Sequence, residues 1–355
     1  MLARAYPVEY ARGVHLPLAR LWLDPRERRD LAVVSHAHGD HIARHRAVVC
    51  TEPTYRLMVH RVRAPVVSHV LRYGEEHAQG DALVSLYPAG HVLGAAQVLV
   101  QHEGLRVLYS GDIRLRPSLS CAALERVDAD ILVVETTFGH QRYRFPPIDE
   151  VVARVVRFCE SALAAGEVPV LVAYSLGKAQ ELLCQLRDSG LRVLLHQSVH
   201  AIAHIYRELG VDLPHAGRLD EANEAAIDIL AWMEAADGAA QPVPRPDDLR
   251  RDCVVVVPPH LRDVRSIRRL EPVRRAALTG WALDAWTPER MGCHTAFPLS
   301  DHCDFDDLVA YTLATGARRV YTLHGFAQDF ARHLRSRGIE ASPLSEPEQL
   351  TLALA

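Results

Sequence analysis

In its first third the chain alternates short apolar runs with Gly, Pro and charged turns, a rhythm that predicts strands. The runs are LAVVS at 31–35, ALVSLYP at 82–88, AQVLVQH at 96–102, RVLYS at 106–110 and ADILVVE at 129–135. Several end next to a side chain able to bind a metal: His36 follows the first, Asp112 follows YSG, and Glu135 closes the last. Loops held at the ends of a rigid sheet are where catalytic groups usually sit.

From residue 146 the pattern changes. PPIDEVVARVVRFCESALAAG (146–166) opens on prolines and stops at a glycine, which predicts a helix. There follow a strand VPVLVAY, a turn SLG, a helix KAQELLCQLRDSG, a strand LRVLLH and helical stretches near 198–209 and 220–236. This alternation predicts a parallel βαβ unit of its own. GAAQPVPRPDD (238–248) predicts a loop, CVVVVPP a buried strand, and an arginine-rich helical segment and AALTGWA come after it. The last part returns to the first style. PLSDHCDFDDLVAYTLATG predicts a loop and helix, with Asp304 as a capping residue, and RRVYTLHG a strand ending at His324. The simplest organisation is a first domain (1–145) interrupted by a second (146–292) and completed by residues 293–355.

Composition narrows the class. A chain of 355 residues that is 49% hydrophobic buries a substantial core without staples. Seven scattered cysteines with no CxxC pair argue against a disulfide framework, so a reducing cytoplasm is the expected location. No apolar run approaches the roughly 18 residues a membrane span needs, and MLARAYPVEYARGVHL lacks an export signal's apolar stretch, so no membrane partner is expected. A net charge of −4 lacks the overall basic field of many nucleic-acid binders, so any polyanion must be held by a local patch or by metal.

Metal is where the twenty histidines matter. In SHAHGDH the alternate residues His36 and His38 can converge on one cation, while Asp40 and His41, past the bend that Gly39 eases, can face a second. His91 in PAGHVLGAAQ, Asp112 in YSGDI and His324 in LHGF complete an inventory large enough for two ions. Taken singly each has a plainer reading, as an ordinary histidine or a turn aspartate. Two neighbouring cations activate water and clamp a phosphoryl group, which is what a phosphodiesterase needs. His302 in SDHCDF is a candidate general acid, with Glu135 able to fix its tautomer.

SHAHGDH, GHVLGAAQ, YSGDIR, ETTFG, SDHCDF and LHGF occur in the order found in metallo-β-lactamase-fold nucleases that carry a β-CASP insertion. Over nearly its whole length the chain resembles that family. Within it, AYSLGKAQELL and YRFPP are similar to the bacterial ligase-associated DNA exonucleases, kin to the Artemis-type nucleases, RNase J and the polyadenylation endonuclease. The resemblance implies a four-layer αββα sandwich capped by an inserted β-CASP α/β domain. It implies two divalent ions, zinc or manganese, with His36, His38 and His91 on one, Asp40, His41 and His324 on the other, and Asp112 bridging. It implies catalytic roles for Asp40, His302 and Glu135, and a 5′-to-3′ DNA exonuclease of repair acting on single strands or duplex ends, in functional association with a DNA ligase or helicase. RNA is the alternative substrate, because His324 is kept as in the RNA-processing branch. A β-lactamase or thioesterase-like hydrolase needs no such insertion, and a non-catalytic nucleic-acid-binding scaffold usually has a broken ligand set, whereas this one is complete. Cys303, where alanine is more usual, and His140 and Gln141 depart from the pattern without removing a ligand.

For substrate contact, Ser175 and Lys178 in SLGKAQ lie where a helix N-terminus can hold a phosphate, though a plain capping turn is the other reading. Arg114, Arg116, Arg142 and Arg144 stand close in sequence to the motifs and are candidates for gripping the strand. The nine arginines of 245–275 read equally as a phosphate-binding stretch or a solvated face.

Overall fold

The computed structural model describes residues 6–62, 67–219, 227–228 and 253–344. Two compact units emerge: Met1–Pro117 with Ala122–Arg142 and His302–Ala355, and Ser118–Cys121 with Tyr143–Asp301. Strands are numbered in chain order.

The first unit holds two sheets. One runs β1 (Glu9–Tyr10), β2 (Val14–Leu16), β3 (Leu21–Leu23), β4 (Leu31–Val33), β5 (Ala47–Cys50) and β6 (Val67–Val70), antiparallel through β3 and parallel from β3 onward. The other has the order β20 (Glu340–Pro343), β19 (Arg319–Leu323), β11 (Ile131–Glu135), β10 (Leu105–Tyr109), β9 (Ala96–His102), β8 (Ala82–Pro88) and β7 (Glu76–Gln79). The runs expected at 82–88, 96–102, 106–110 and 129–135 are therefore neighbours in one sheet.

Alternation decides which face each residue takes. Leu16, Leu23 and Val33 of the first sheet join Leu86, Val98, Val107 and Val133 of the second in one buried cluster, so the two sheets face each other. Their chain neighbours Leu99, Leu108, Leu132 and Val134 point the other way, against Leu308 and Phe330 of the helices Phe305–Ala314 and Ala327–Ser336. β11 is buried along its whole length, as a central strand with parallel partners on both edges must be.

Strand direction decides where the loops gather. β10, β11 and β19 pair in parallel, with Glu135 opposite Leu323, and β8 runs the same way because two antiparallel steps separate it from β10. All four strands therefore end at one edge. The end of β4 is stitched to that edge by the Ala96 N–H, which donates to the Ser35 carbonyl at 2.9 Å.

The second unit carries a sheet of its own: β15 (Ile227–Asp228), β14 (Gly217–Leu219), β13 (Arg192–His196), β16 (Cys253–Val257), β12 (Val168–Val172), β17 (Val273–Leu278) and β18 (Thr295–Phe297). Every pairing is parallel except that of β14 with β15. Helices Ile148–Ala164, Lys178–Gln185 and Gln197–Glu208 fall where the sequence predicts them. Three features differ from expectation. Ile227–Asp228 form a strand inside the stretch read as a helix, whose remainder, like the 238–248 loop, lies outside the described residues. In the arginine-rich stretch only Arg265–Arg268 is α-helical, and Arg274 and Arg275 lie on β17; Arg245, Arg250 and Arg251 lie outside the described residues. Because β18 pairs with β17, the second unit runs to Asp301, beyond residue 292. The loop 118–121 belongs to this unit because the buried Glu181 carboxylate accepts from Ser118 Oγ, Ser120 Oγ and the Leu119 N–H at 2.6, 3.1 and 3.0 Å. No helix among the described residues is long and apolar enough to cross a membrane.

Leu86 is fully buried between the two sheets of the first unit. Leu86→Ala should lower unfolding free energy by about 2–5 kcal/mol in urea titration. A loss under about 1 kcal/mol would contradict face-to-face packing of those sheets.

Candidate metal centre

The strand ends bring His36, His38, His91 and Asp112 together, while Asp40 and His324 lie beside them without joining that group. Ring nitrogens of His36 (Nε2) and His91 (Nε2) lie 3.1 and 3.0 Å from His38 Nδ1. Asp112 Oδ2 lies 3.4 Å from His36 Nε2, 3.5 Å from His41 Nε2 and 3.7 Å from His91 Nε2. The ligand atoms of His36, His38, His91 and Asp112 all lie within 4.8 Å of one another. Asp40 Oδ2 is 3.7 Å from His41 Nε2. His324 lies further out, its ring centroid 6.1 Å from that of His41, and both line a shallow cleft with Asp40, Asp24, Arg26 and Tyr109.

Two local devices make the convergence possible. Gly111 has φ +54°, and a Cβ there would lie 2.7 Å from Ser35 Oγ, so only glycine lets the SGD turn approach the end of β4. His324 itself adopts φ +62°, a conformation that costs a non-glycine residue roughly 1 kcal/mol or more. Thr136 holds it, its hydroxyl donating to the Leu323 and His324 carbonyls at 3.0 and 2.6 Å.

Asp24 was not anticipated from the sequence. Its buried carboxylate accepts from the Ser35 N–H (2.7 Å), the Ser35 hydroxyl, the Tyr109 hydroxyl (2.9 Å) and His41 Nδ1 (2.8 Å). With the Ser35 proton directed to Asp24, Ser35 Oγ accepts from His36 Nδ1 at 3.0 Å. Both histidines are thereby held with Nε2 toward Asp112, as metal-binding imidazoles are held by carboxylate partners. An aspartate closing the apolar run LWL, with no histidine beside it, gave no sequence signal for this role.

The electrostatics describe a place short of positive charge. Burial pushes Asp112 up to about 6 despite the opposing pull of His41 and His302. Burial also disfavours charge on His41, but Asp112, Asp24 and Asp40 outweigh it and raise that imidazole to about 10. His36 is driven well below the usual histidine range by burial and by the imidazoles of His41, His38, His91 and His302, and His324 is pushed down to about 4 by burial and by His41. The His41 imidazolium thus serves several carboxylates, while the rings of His36 and His324 are held neutral and offer lone pairs. Imidazole nitrogen with carboxylate oxygen is the donor set of zinc and similar ions, so the group His36, His38, His91 and Asp112 fits a divalent cation of that kind.

Beside this cluster, His302 Nδ1 lies 3.0 Å from Glu135 Oε1, and the other Glu135 oxygen accepts from the Thr137 N–H at 2.9 Å. Burial would raise the Glu135 carboxyl, but His302 and the Thr137 N–H hold it below the ordinary range. The His302 ring stands 4.7 Å from His91, centroid to centroid, and is partly exposed.

No family model matches the chain. A protein named "Probable DNA ligase" from Opitutus terrae is 39% identical over 351 residues, which is 98% of this chain and 32% of its own length. The RNase J-like protein of Methanocaldococcus jannaschii is 25% identical over 178 residues, 43% of this chain and 42% of its own. Ribonuclease TTHA0252 of Thermus thermophilus is 29% identical over 242 residues, 59% of this chain and 51% of its own. The chain belongs to the β-CASP metallo-β-lactamase family. It spans about a third of the Opitutus protein's length. A crystal structure of a protein of unknown function from Enterococcus faecalis matches with a TM-score of 0.57 over 89% of this chain and 79% of that one, at 13% identity, which speaks for the fold alone.

In this β-CASP chain the expected substrate-binding residues fare unevenly. Arg142 and Arg144 are exposed, the Arg142 guanidinium lying 5.4 Å from the Phe326 ring. Arg114 is a correction: it is 4% exposed and donates to the Pro117 carbonyl at 3.1 Å, so burial turns it inward to brace its own loop. Lys178 is a second: it is equally buried, with Nζ 2.9 Å from Asp301 Oδ1, so its charge is matched inside the second unit. Ser175 is half-buried, its carbonyl taken by Gln180 Nε2, and the N–H groups of Gly177 and Ala179 are likewise engaged, so the turn behaves as a cap. Arg116 pairs with Asp304 and Asp307.

The charge balance and the close turn each predict a measurable outcome. In metal-free protein, His36 and His324 bind protons more readily unfolded than folded, so they leave stability untouched above about pH 6.5 and lower it as pH drops toward 4, whereas the raised His41 adds stability that is full below about pH 6.5 and is lost as pH rises from there toward 10. Asp112 and His41 act oppositely over part of that window, while His45, pushed down to about 4 by burial, adds to the loss. Melting temperature in chelator should fall by about 2 °C or more from pH 7 to pH 5; a flat profile would contradict the assignment. Gly111→Ala should weaken zinc retention about tenfold or more in chelator competition, through the displaced Ser35–His36 contact.

Proposed function

We propose that the chain hydrolyses phosphodiester bonds of nucleic acid at two divalent cations, as an exonuclease that trims DNA from the 5′ end. The observation that carries this reading is the Asp112 Oδ2 lying within 3.4–3.7 Å of ring nitrogens of His36, His41 and His91 alike, with a carboxylate-held histidine alongside. His36, His38 and His91 would hold one ion, Asp40, His41 and His324 the second, and Asp112 both; zinc suits these donors best and manganese next. When bound, such ions lower the pKa of water and polarise the phosphoryl group.

The protein's own groups do the rest. Asp24 orients His41 directly and His36 through Ser35, so the ligand rings are set before substrate arrives. His302, with Nδ1 committed to Glu135, presents Nε2 as the proton donor for the leaving oxygen, and the Glu135 charge steadies the protonated ring. In this reading the first unit is the αββα sandwich and residues 143–301 form the inserted β-CASP domain.

DNA is favoured because the relative that aligns with 98% of this chain is named a DNA ligase, whereas the RNase J-like protein and the Thermus ribonuclease align with 43% and 59%. That name also motivates a functional link to strand joining. RNA processing is the second reading, carried by those same ribonuclease relatives and by the retained His324.

The test compares 5′-labelled single- and double-stranded DNA with matched RNA under zinc or manganese. Wild type should release short 5′ products from DNA. Asp112→Ala should abolish them, and His302→Ala should slow turnover by about 10²–10⁴ at an unchanged fold. Faster cleavage of RNA would move the assignment to the second reading, and no hydrolysis of either polymer would overturn both.

A further inference from the structure

Charge is distributed unevenly along this chain. Residues 1–72 contain twelve arginines, no lysine and six acidic residues, a net of +6 in a chain whose total is −4. Much of that excess is gathered beside the HxHxDH loop. The segment 24–30 (DPRERRD) lies against residues 44–47 (RHRA): the Arg46 and Ala47 N–H groups donate to the Arg29 and Asp30 carbonyls at 3.0 and 2.9 Å, and the Arg29 N–H donates to His45 Nδ1 at 3.2 Å. Arg26, Arg28, Arg44 and Arg46 project from these two segments and are exposed. Of the acids in these segments Asp24 is buried, Asp30 is exposed, and Glu27 is drawn toward Arg12 and Arg29 at 3.0 and 3.6 Å.

Two arginines reach the loop itself. Arg26 Nε donates to the Asp40 carbonyl at 2.9 Å. Arg61, in the last turn of the helix Glu52–Val62, brings its guanidinium to Gly39, with Nη2 3.6 Å from where a Cβ would lie. Successive residues at the tip of the loop are therefore flanked by two exposed guanidinium groups. The Asp40 side chain is 61% exposed, so the tip is the solvent-facing side of the candidate centre.

We propose that Arg26 and Arg61 form a two-pronged grip on backbone phosphates flanking the bond to be cut, and that the arginines of 24–30 and 44–47 extend it as a track for the nucleic-acid strand. This rests on the phosphodiesterase reading and adds the residues that hold the strand. Guanidinium groups suit the role because they stay charged and pair with phosphate through two N–H groups. Each phosphate neutralised releases condensed counterions, which gives the interaction a measurable salt signature.

The experiment uses the full chain loaded with manganese and a 5′-phosphorylated single-stranded DNA, following log kcat/KM against log salt concentration. Arg26→Gln with Arg61→Gln should raise KM about tenfold or more, with kcat changed by less than about threefold, and flatten the salt slope by roughly 1.4. Arg61→Gln alone, which leaves the Asp40 contact intact, should give about half that slope change. Arg26→Lys with Arg61→Lys should restore most of it. Arg332→Gln, which removes the same charge from the helix Ala327–Ser336, should leave the slope unchanged. Metal content per chain should equal wild type in Arg61→Gln, which touches neither the Asp40 carbonyl nor its ion pair with Arg26. Active wild type with an unaltered slope in Arg61→Gln and the double variant would overturn the grip alone. Wild type that cleaves no nucleic acid would overturn the phosphodiesterase reading, and the grip with it.

Discussion

A carboxylate buried among imidazoles persists only if positive charge accompanies it, and Asp112 imposes that condition on everything around it. Desolvation alone would neutralise the acid. In the metal-free chain the partial answer is His41, held as an imidazolium by three carboxylates. One proton cannot satisfy Asp112, Asp24 and Asp40 together while His36, His38 and His91 direct ring nitrogens into the same space at 3.0–3.1 Å. A bound divalent cation would resolve the conflict, pairing with the acids and accepting the lone pairs.

The architecture exists to produce that crowding. β8, β10, β11 and β19 end along one edge of a sheet, and the Ser35–Ala96 hydrogen bond fastens the end of β4 there. Each ligand loop is short because the strand before it has carried the chain to the right place. Residues that hold no metal set the accuracy of the arrangement. Gly111 allows two turns to touch, Thr136 holds His324 in a left-handed conformation, and Asp24 orients two rings. Small errors at such positions are felt at the centre because the supporting network is buried and directional.

Much of this was legible in the sequence, and for a physical reason. Strands that alternate inside a two-sheet core write their period directly into the chain, so β8, β9, β10, β11 and β19 were visible as runs. The motif residues were visible because histidine and aspartate cluster at their ends. What escaped notice depends on partners distant in the chain. Asp24 matters only because Ser35, His41 and Tyr109 fold around it. Arg114 and Lys178 looked like strand-gripping cations, yet burial and the Asp301 pair give them structural work, which no local pattern encodes. Strands of two to four residues such as β1, β6 and β18 are too brief to carry a period. Arg274 and Arg275 misled because a charged run resembles a helix face until its pairing with β12 is known.

The central claim, that these strand ends cage two neighbouring cations about a shared aspartate, is tested most directly by anomalous diffraction from crystals of the full chain soaked in manganese or zinc. The account predicts two anomalous peaks, one among His36, His38 and His91 and one among Asp40, His41 and His324, with Asp112 reaching both. A fully soaked crystal with no peak within ligand distance of Asp112 would contradict it.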